Sequence, residues 1–503
     1  MDSRGKKIAV IGAGLGGLAA GALLASRGGD VVIYEKGARV GGKMGTYESG
    51  GYRWDTGPSL LTMPHVVDGL WEALGDKAGV PARRRLEVTC RYRWRDGRTI
   101  DEDAGFWRQP GVDALVRDGA GVFALSERNF LNRPLEQAWR SLMDLGQIGR
   151  LRHFGKLARR DTVAERAARH VGDRHVRQIF ERFATYNGSS PYRAPGAFSI
   201  IPFVQAEFGG WWVEGGMYRL AEGLAALAER HGATIRTGCG VEGVVEGRKR
   251  RYGLVLGGAE VAEADVVVCN RDAVSAGLGF FCGGQGDRYR AWIEKQLGQR
   301  DMSLSGMVLM LGVRGQHRGL SHHNILFSDD YREEFRRLFD EGLPAEDPTI
   351  YVAVSGKSEL GRAPEGCENW FVLVNAPPAD GRFDWEAGGE AYGDRIVGLL
   401  EERLGGGFEG GLGGRIEVRE MITPVEFGRR HGAHGGSLYG FASHGAFSAF
   451  QRAPMRPPGL PGVWMVGGTT HPGGGIPLAL LSGWMAAREI VPGIVAPPEV
   501  FGP

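Results

Sequence analysis

Residues 12–17 read Gly12-Ala13-Gly14-Leu15-Gly16-Gly17, and a carboxylate, Glu35, closes the next apolar run. This pattern suits the holding of a diphosphate. Gly12 permits a tight turn, Gly14 lets backbone approach a pyrophosphate, and Gly17 lets a helix pack closely on a sheet. Glu35, with Lys36 beside it, can accept both hydroxyls of an adenosine ribose. Its charge disfavours a 2′-phosphate, so NADP is not expected. Further glycine segments stand at Gly41-Gly42-Lys43 and Gly57-Pro58-Ser59. Another comes far along the chain at Gly467-Gly468, running on through His471-Pro-Gly-Gly-Gly475-Ile476-Pro477. A helix that starts after such a turn presents free N–H groups to an anion. His444 and His471 lie in or near these segments and are the candidate proton acceptors; each could instead hold its turn by a hydrogen bond. The pairs His322–His323 and His431/His434 lack Cys, Asp or Glu partners at ligand spacing, so no metal is expected.

The elements that must position these residues are legible from their period. Lys6–Ile11 is a short buried strand, the glycine turn leads into a helix ending near Ser26, and Asp30–Glu35 is the next strand. An NAD domain would continue with another helix–strand repeat. This chain instead makes two further glycine turns, as if following a longer ligand. Late in the sequence, Val463–Val466 reads as a strand and Leu478–Arg488 as a helix, with the glycine knot between them. Between these ends, Gly216–His231 reads as an amphipathic helix, with strands at Ala233–Gly238 and Ala264–Cys269. Ser303–Val313, Thr349–Val354, Asn369–Asn375 and Arg415–Met421 read as further strands, and Gly405–Gly414 as a flexible turn. From Pro134 to Tyr186 the spacing is mostly helical. Leu142, Leu145, Ile148, Leu151 and Phe154 form an apolar stripe beside Arg150, Arg152, Lys156, Arg159 and Arg160. That stripe either lies on an anionic membrane or packs on its own domain. Trp211 and Trp212 either line an apolar tunnel or belong to the core.

The chain has 503 residues, enough for two or three domains. A net charge of +2 argues against general nucleic-acid binding. There is no apolar run long enough to span a bilayer. The beginning of the chain carries no signal-peptide pattern, and the five cysteines are scattered without a CxxC pair. A cytoplasmic protein is therefore expected.

Taken together, the glycine segments resemble those of the FAD-dependent oxidoreductases that include monoamine oxidases, protoporphyrinogen oxidases and carotenoid desaturases. The resemblance implies an α/β fold: a Rossmann-type FAD-binding domain with an inserted α+β substrate domain and a helical, membrane-associating region. It implies FAD as cofactor, with Gly41-Gly42-Lys43 along the pyrophosphate, Gly57-Pro58-Ser59 by the flavin and Val241 near the adenine. Gly467, Gly468, Gly475, Ile476 and Pro477 become the second half of the site. The implied FAD-binding segments are 1–82, 204–272 and 449–503, and the substrate segments are 83–203 and 273–448. His471-Pro-Gly-Gly-Gly-Ile-Pro477 resembles the bacterial-type phytoene desaturase signature. Tyr186-Asn-Gly-Ser-Ser-Pro-Tyr192 and the strand ending Asn270-Arg-Asp272 are similar to two further elements of that family. Ser437–Gly445 and Gly474–Ser482 are closer to the hydroxyneurosporene and methoxyneurosporene 3,4-desaturases. The implied activity is desaturation of an acyclic carotenoid, with a 1-hydroxycarotenoid favoured over phytoene. A phytoene desaturase, an FAD-dependent carotenoid cis–trans isomerase and a non-catalytic carrier remain the alternatives. No second fingerprint for NAD(P)H is present, so oxygen or a membrane quinone is the implied electron acceptor. The implied location is cytoplasmic, peripheral to the inner face of the cell membrane.

Overall fold

Ile8 and Val10 pack into one core cluster while Ala9 and Ile11 pack into another. The strand Lys7–Ile11 is thus apolar on both faces, as the central strand of a parallel sheet must be. In the computed structural model, which describes residues 5–135, 137, 160–257, 261–405, 410–446 and 448–500, this strand sits in the middle of a five-stranded sheet. The strand order is Val463–Met465, Val266–Cys269, Lys7–Ile11, Asp30–Tyr34, Thr234–Arg236. All four pairings are parallel. Strands from both ends of the chain and from its middle therefore point their carboxyl ends the same way, the place where open α/β sheets bind ligands.

One face of this sheet carries three helices, Leu15–Ala25, Arg219–Arg230 and Ile476–Ile490. Every residue of the first is buried, so it needs no polar face. The first and last cross at very short range: a Cβ on Gly483 would stand 2.1 Å from the Gly16 carbonyl oxygen. The opposite face is covered by an antiparallel layer of Val241–Glu246, Tyr252–Leu256 and Val261–Ala264.

A second, seven-stranded sheet runs in the order Ile416–Ile422, Ser305–Arg314, Cys367–Ala376, Ile350–Val354, His323–Leu326, Arg91–Arg93, Thr99–Asp101. Met307, Leu309 and Leu311 pack on the helix Trp385–Leu404, while Val308 and Met310 face the hairpin residues Tyr52 and Trp54. The strand His323–Leu326 and the hairpin Arg91–Asp101 join strands already legible in the sequence. Residues Arg83–Arg85 pair with Trp211–Val213, so the chain leaving the first sheet and the chain returning to it run side by side. Trp212 is buried at 1% and Trp211 is partly buried against the same core.

Of the helical stretch 134–186, the described part contains Val163–His170 and Arg174–Arg182. The apolar stripe Leu142–Phe154 and the basic residues Arg150, Arg152, Lys156 and Arg159 lie outside the described residues. No helix among the described residues is long and apolar enough to cross a membrane.

Candidate functional site: a cavity at the crossing of the glycine segments

The carboxyl ends of Lys7–Ile11 and Val266–Cys269 open onto a cavity of about 1110 Å³. Gly12, Gly14, Gly16, Glu35, Lys36, Gly41, Gly42, Lys43, Gly57, Pro58, Ser59, Val241, Gly467, Gly468, Gly475, Ile476 and Pro477 all line it. Residues from both ends of the sequence therefore share one wall. They meet around Asn270, at the end of the strand beside Lys7–Ile11. A Cβ on Gly14 would lie 2.4 Å from Asn270 Nδ2, and the Asn270 Oδ1 has no hydrogen-bond partner. The Gly41 N–H donates to the Ala13 carbonyl at 2.7 Å, which ties the second glycine segment to the first.

Glu35 is 7% exposed and holds the loop in shape. Its Oε2 accepts the Ala13 N–H at 2.8 Å and its Oε1 accepts the Gly37 N–H at 2.7 Å. Two helices begin at the cavity, Leu15–Ala25 behind Gly14 and Ile476–Ile490 behind Gly475. Neither N-cap supplies a side-chain hydrogen bond. Their first N–H groups and dipoles favour negative charge there. Lys43 Nζ donates to the Leu438 carbonyl at 2.6 Å, and burial lowers its pKa. Lys36 Nζ donates to the Arg429 carbonyl at 3.2 Å, its pKa lowered by burial and then by Arg271.

Ala13 and Gly17 stand behind the wall rather than in it. A Cβ on Gly17 would meet the Gly12 carbonyl at 2.2 Å, so that glycine closes the helix onto its own turn. Neither of the two histidines expected as proton acceptors, His444 and His471, is among the residues that line the cavity. His444 Nδ1 pairs with Asp301 at 2.8 Å, its Nε2 accepts the Ser190 N–H at 3.0 Å, and its ring stands edge-on to Phe339. His471 is fully buried, with Nε2 on the Arg133 carbonyl at 2.8 Å and the ring against Phe130. Burial pulls its pKa down to about 4. Both rings tie loops together. Among the described residues no group of three His, Cys, Asp or Glu gathers as metal ligands do. His322 bonds Ser358 at 2.6 Å and His323 bonds Tyr351 at 2.8 Å.

Away from the glycines the same cavity is walled by Val122, Phe130, Phe198, Ile201, Val204 and Leu373. Among them stand polar groups that motif reading did not single out: Arg182, Gln205 and Tyr351, with Tyr351 Oη 2.5 Å from Ser59 Oγ. Asn270 was visible in principle, since it ends a strand beside the fingerprint strand. Arg182 lies just before the Tyr186–Tyr192 stretch, but nothing in its neighbourhood along the chain marks it as facing a cavity.

Residues 15–273 match the family model described as flavin containing amine oxidoreductase. The chain is 31% identical to the 1-hydroxycarotenoid 3,4-desaturase of Flavobacterium sp. (strain P99-3), across 97% of this chain and 99% of that one. It is 32% identical to the 4,4'-diapolycopene oxygenase of Methylomonas sp., across 97% and 98%. Identity to the hydroxyneurosporene desaturase of Rubrivivax gelatinosus is 33%, across 97% and 94%. The chain belongs to this family. The fold is likewise that of a solved oxidoreductase from Methanosarcina mazei, with a TM-score of 0.63 at 16% identity, covering 96% of this chain and 100% of that one.

A flavin-containing amine oxidoreductase uses FAD, and the residues present fit it. The glycine crossing has no room for side chains at Gly14 and Gly16, two uncapped helix N-termini face one cavity, and a carboxylate ends the second strand. A Cβ on Gly475 would meet no protein atom within 4 Å. This oxidoreductase therefore leaves open space at the point where the C-terminal segment crosses.

Proposed function

We propose that this FAD-dependent enzyme desaturates an acyclic carotenoid, and that its reaction is the 3,4-desaturation of a 1-hydroxycarotenoid. The observation that carries the reading is the single cavity, which joins the glycine crossing to a wall of aliphatic and aromatic side chains. A long polyene needs that wall, and two of the named relatives act on hydroxylated substrates by their names.

In the proposed site, Glu35 accepts the ribose hydroxyls. Gly12, Gly14, Gly16, Gly41, Gly42 and Lys43 hold the pyrophosphate with Gly467 and Gly468. Gly57, Pro58, Ser59, Gly475, Ile476 and Pro477 border the flavin, and Val241 borders the adenine. FAD held there would supply a two-electron oxidant for hydride removal from an allylic C–H. The apolar wall excludes water while the polyene spreads the positive charge, and the neighbouring proton then leaves to solvent or a weak base. We further propose segments 1–82, 204–272 and 449–503 as the FAD-binding domain and 83–203 with 273–448 as the substrate domain. The division is supported by the two sheets, which draw on these segments. Electrons pass on to oxygen or a membrane quinone. The protein works at the inner face of the cell membrane, where its substrate partitions.

A second reading, oxygenation of a carotenoid end, is favoured by the 32% identity to the Methylomonas oxygenase. One experiment separates the readings. The FAD-loaded protein is given a 1-hydroxycarotenoid, and separately phytoene, in liposomes, and products are followed by chromatography, absorption and mass. Loss of two hydrogens with a red shift, on the hydroxylated substrate first, is expected. A gain of oxygen supports the oxygenase, and unchanged mass with altered geometry supports an isomerase.

A further inference from the structure

Arg182 ends the helix Arg174–Arg182 and lines the apolar part of the cavity, half-buried. A guanidinium there is expensive unless its donors are used. Ring faces supply part of the compensation: its Cζ lies 5.5 Å from the Tyr92 centroid, 5.1 Å from Phe183 and 5.3 Å from Tyr186. Hydrogen bonding supplies little. Nη2 donates to Tyr92 Oη at 3.2 Å, the guanidinium also bonds the Tyr186 hydroxyl oxygen, and Nε has no partner. Arginine carries five N–H donors, so this one holds donors in surplus.

The surrounding network fixes what each group can offer. Glu102 is fully buried behind the wall. Tyr92 Oη donates to its Oε2, and Gln205 Nε2 donates to its Oε1 at 2.5 Å. With the Gln205 amide nitrogen committed, its Oε1 accepts the Tyr186 hydroxyl proton at 2.9 Å. Tyr186 has therefore given its proton to Gln205, and its oxygen is an acceptor that already faces the Arg182 guanidinium with one lone pair remaining. Arg182 beside it is a donor. Glu102, through Tyr92, supplies a countercharge when ionised, and the cluster in that state suits an uncharged oxygen better than an anion. Burial pushes the Glu102 carboxyl up to about 7, against the pull of Gln205, Tyr92 and Arg182.

We propose that Arg182 and Tyr186, held by Gln205, Tyr92 and Glu102, form the subsite that binds the hydroxyl of a hydroxylated carotenoid end. Arg182 donates to the substrate oxygen and Tyr186 accepts the substrate proton. This rests on the desaturase reading and adds the residues that choose the substrate. An alcohol uses both groups, an ether only Arg182, and a hydrocarbon end neither. The hydrocarbon would leave buried polar groups unpaired, which is how a pocket rejects a molecule lacking a hydroxyl more strongly than it rejects one of slightly different size.

The test compares FAD-loaded wild type, Tyr186→Phe and Arg182→Leu on a 1-hydroxycarotenoid, its methyl ether and the parent hydrocarbon, all in liposomes. Both kcat and KM are determined, and binding to each polyene is measured by quenching of tryptophan fluorescence. Tyr186→Phe keeps the ring and so keeps the fold. Wild type is expected to prefer the alcohol. In Tyr186→Phe the alcohol-to-hydrocarbon ratio of kcat/KM falls about tenfold, mainly through KM, and the alcohol-to-ether ratio falls with it. Arg182→Leu also lowers the ether relative to the hydrocarbon. Equal losses on all three substrates would mean that the cluster only supports the fold, and would overturn the proposal. Wild type that desaturates all three equally overturns the subsite while leaving the desaturase reading intact. Wild type that desaturates none overturns both.

Discussion

Glu35 does two jobs with one carboxylate. Its oxygens already accept the N–H groups of Ala13 and Gly37, and the same group ends the strand that faces the cavity. Glu35→Ala should therefore raise the FAD dissociation constant about tenfold or more, since a charged acceptor of this kind contributes about 1.5–3 kcal/mol. Titration of stripped protein with FAD checks it, and unchanged affinity would remove Glu35 from the site. Neighbouring glycines divide along the same line. A Cβ on Gly474 would strike the Tyr439 ring at 2.2 Å, whereas at Gly475 it would find open cavity with φ at +97°. Gly474→Ala should lower the melting temperature of FAD-free protein through a protein–protein clash. Gly475→Val adds backbone strain of about 1–3 kcal/mol, but its larger effect should be loss of FAD retention in the molecules that remain folded. Flavin absorbance and apo-protein melting separate the two; normal FAD affinity in folded Gly475→Val would show that the C-terminal segment is only a turn.

At the scale of elements, the site depends on two helices from opposite ends of the chain. Leu15–Ala25 and Ile476–Ile490 start at the cavity and cross where Gly16 meets Gly483. The close approach aims both N-termini at one place, and Ser482 Oγ fixes the turn before the second helix by accepting the Gly467 N–H at 2.8 Å. Gly483→Ala places a methyl 2.1 Å from the Gly16 carbonyl and 3.0 Å from the Ala20 nitrogen. The helices must separate, at a cost of about 1–3 kcal/mol for overpacking. Urea unfolding should show that loss, and FAD affinity should fall as well because Gly16 moves. Lost stability with unchanged FAD affinity would mean that the crossing is structural alone.

Across the whole molecule, the chain enters and leaves the first sheet three times and builds the second sheet in the intervals. The cavity is lined from both parts. The acid-free basic run from Arg150 to Arg160 is the sequence feature that suits an anionic surface, and all of it but Arg160 lies outside the described residues. Changing Arg150, Arg152, Arg159 and Arg160 together to Gln should reduce co-sedimentation with anionic liposomes, because each basic residue near such a surface contributes about 1 kcal/mol. Equal co-sedimentation of folded mutant and wild type would leave the segment as a solvated helix. The expected loss should also shrink as salt is raised, since the attraction is screened.

The amino-acid sequence by itself determined the features that neighbouring residues impose on one another. The continuous apolar run of Lys7–Ile11, the glycine turn, the second strand running up to Glu35 and the return at Gly467–Pro477 were all legible, because steric freedom and runs of apolar side chains are local. Strands expected at Ser303–Val313 and Asn369–Asn375 stand at Ser305–Arg314 and Cys367–Ala376, long apolar runs that needed no partner to be recognised. Tertiary structure alone decided the rest. His471 stands within a glycine motif, yet its ring is claimed by Arg133, 338 positions away. The short strand His323–Leu326 is defined by partners at Arg91–Arg93 and Ile350–Val354. Gln205 meets Glu102 across 103 positions, and that contact turns Tyr186 into an acceptor. Such pairings arise from how sheets and helices stack, and periodicity along the chain carries no record of which distant group will satisfy a buried polar atom.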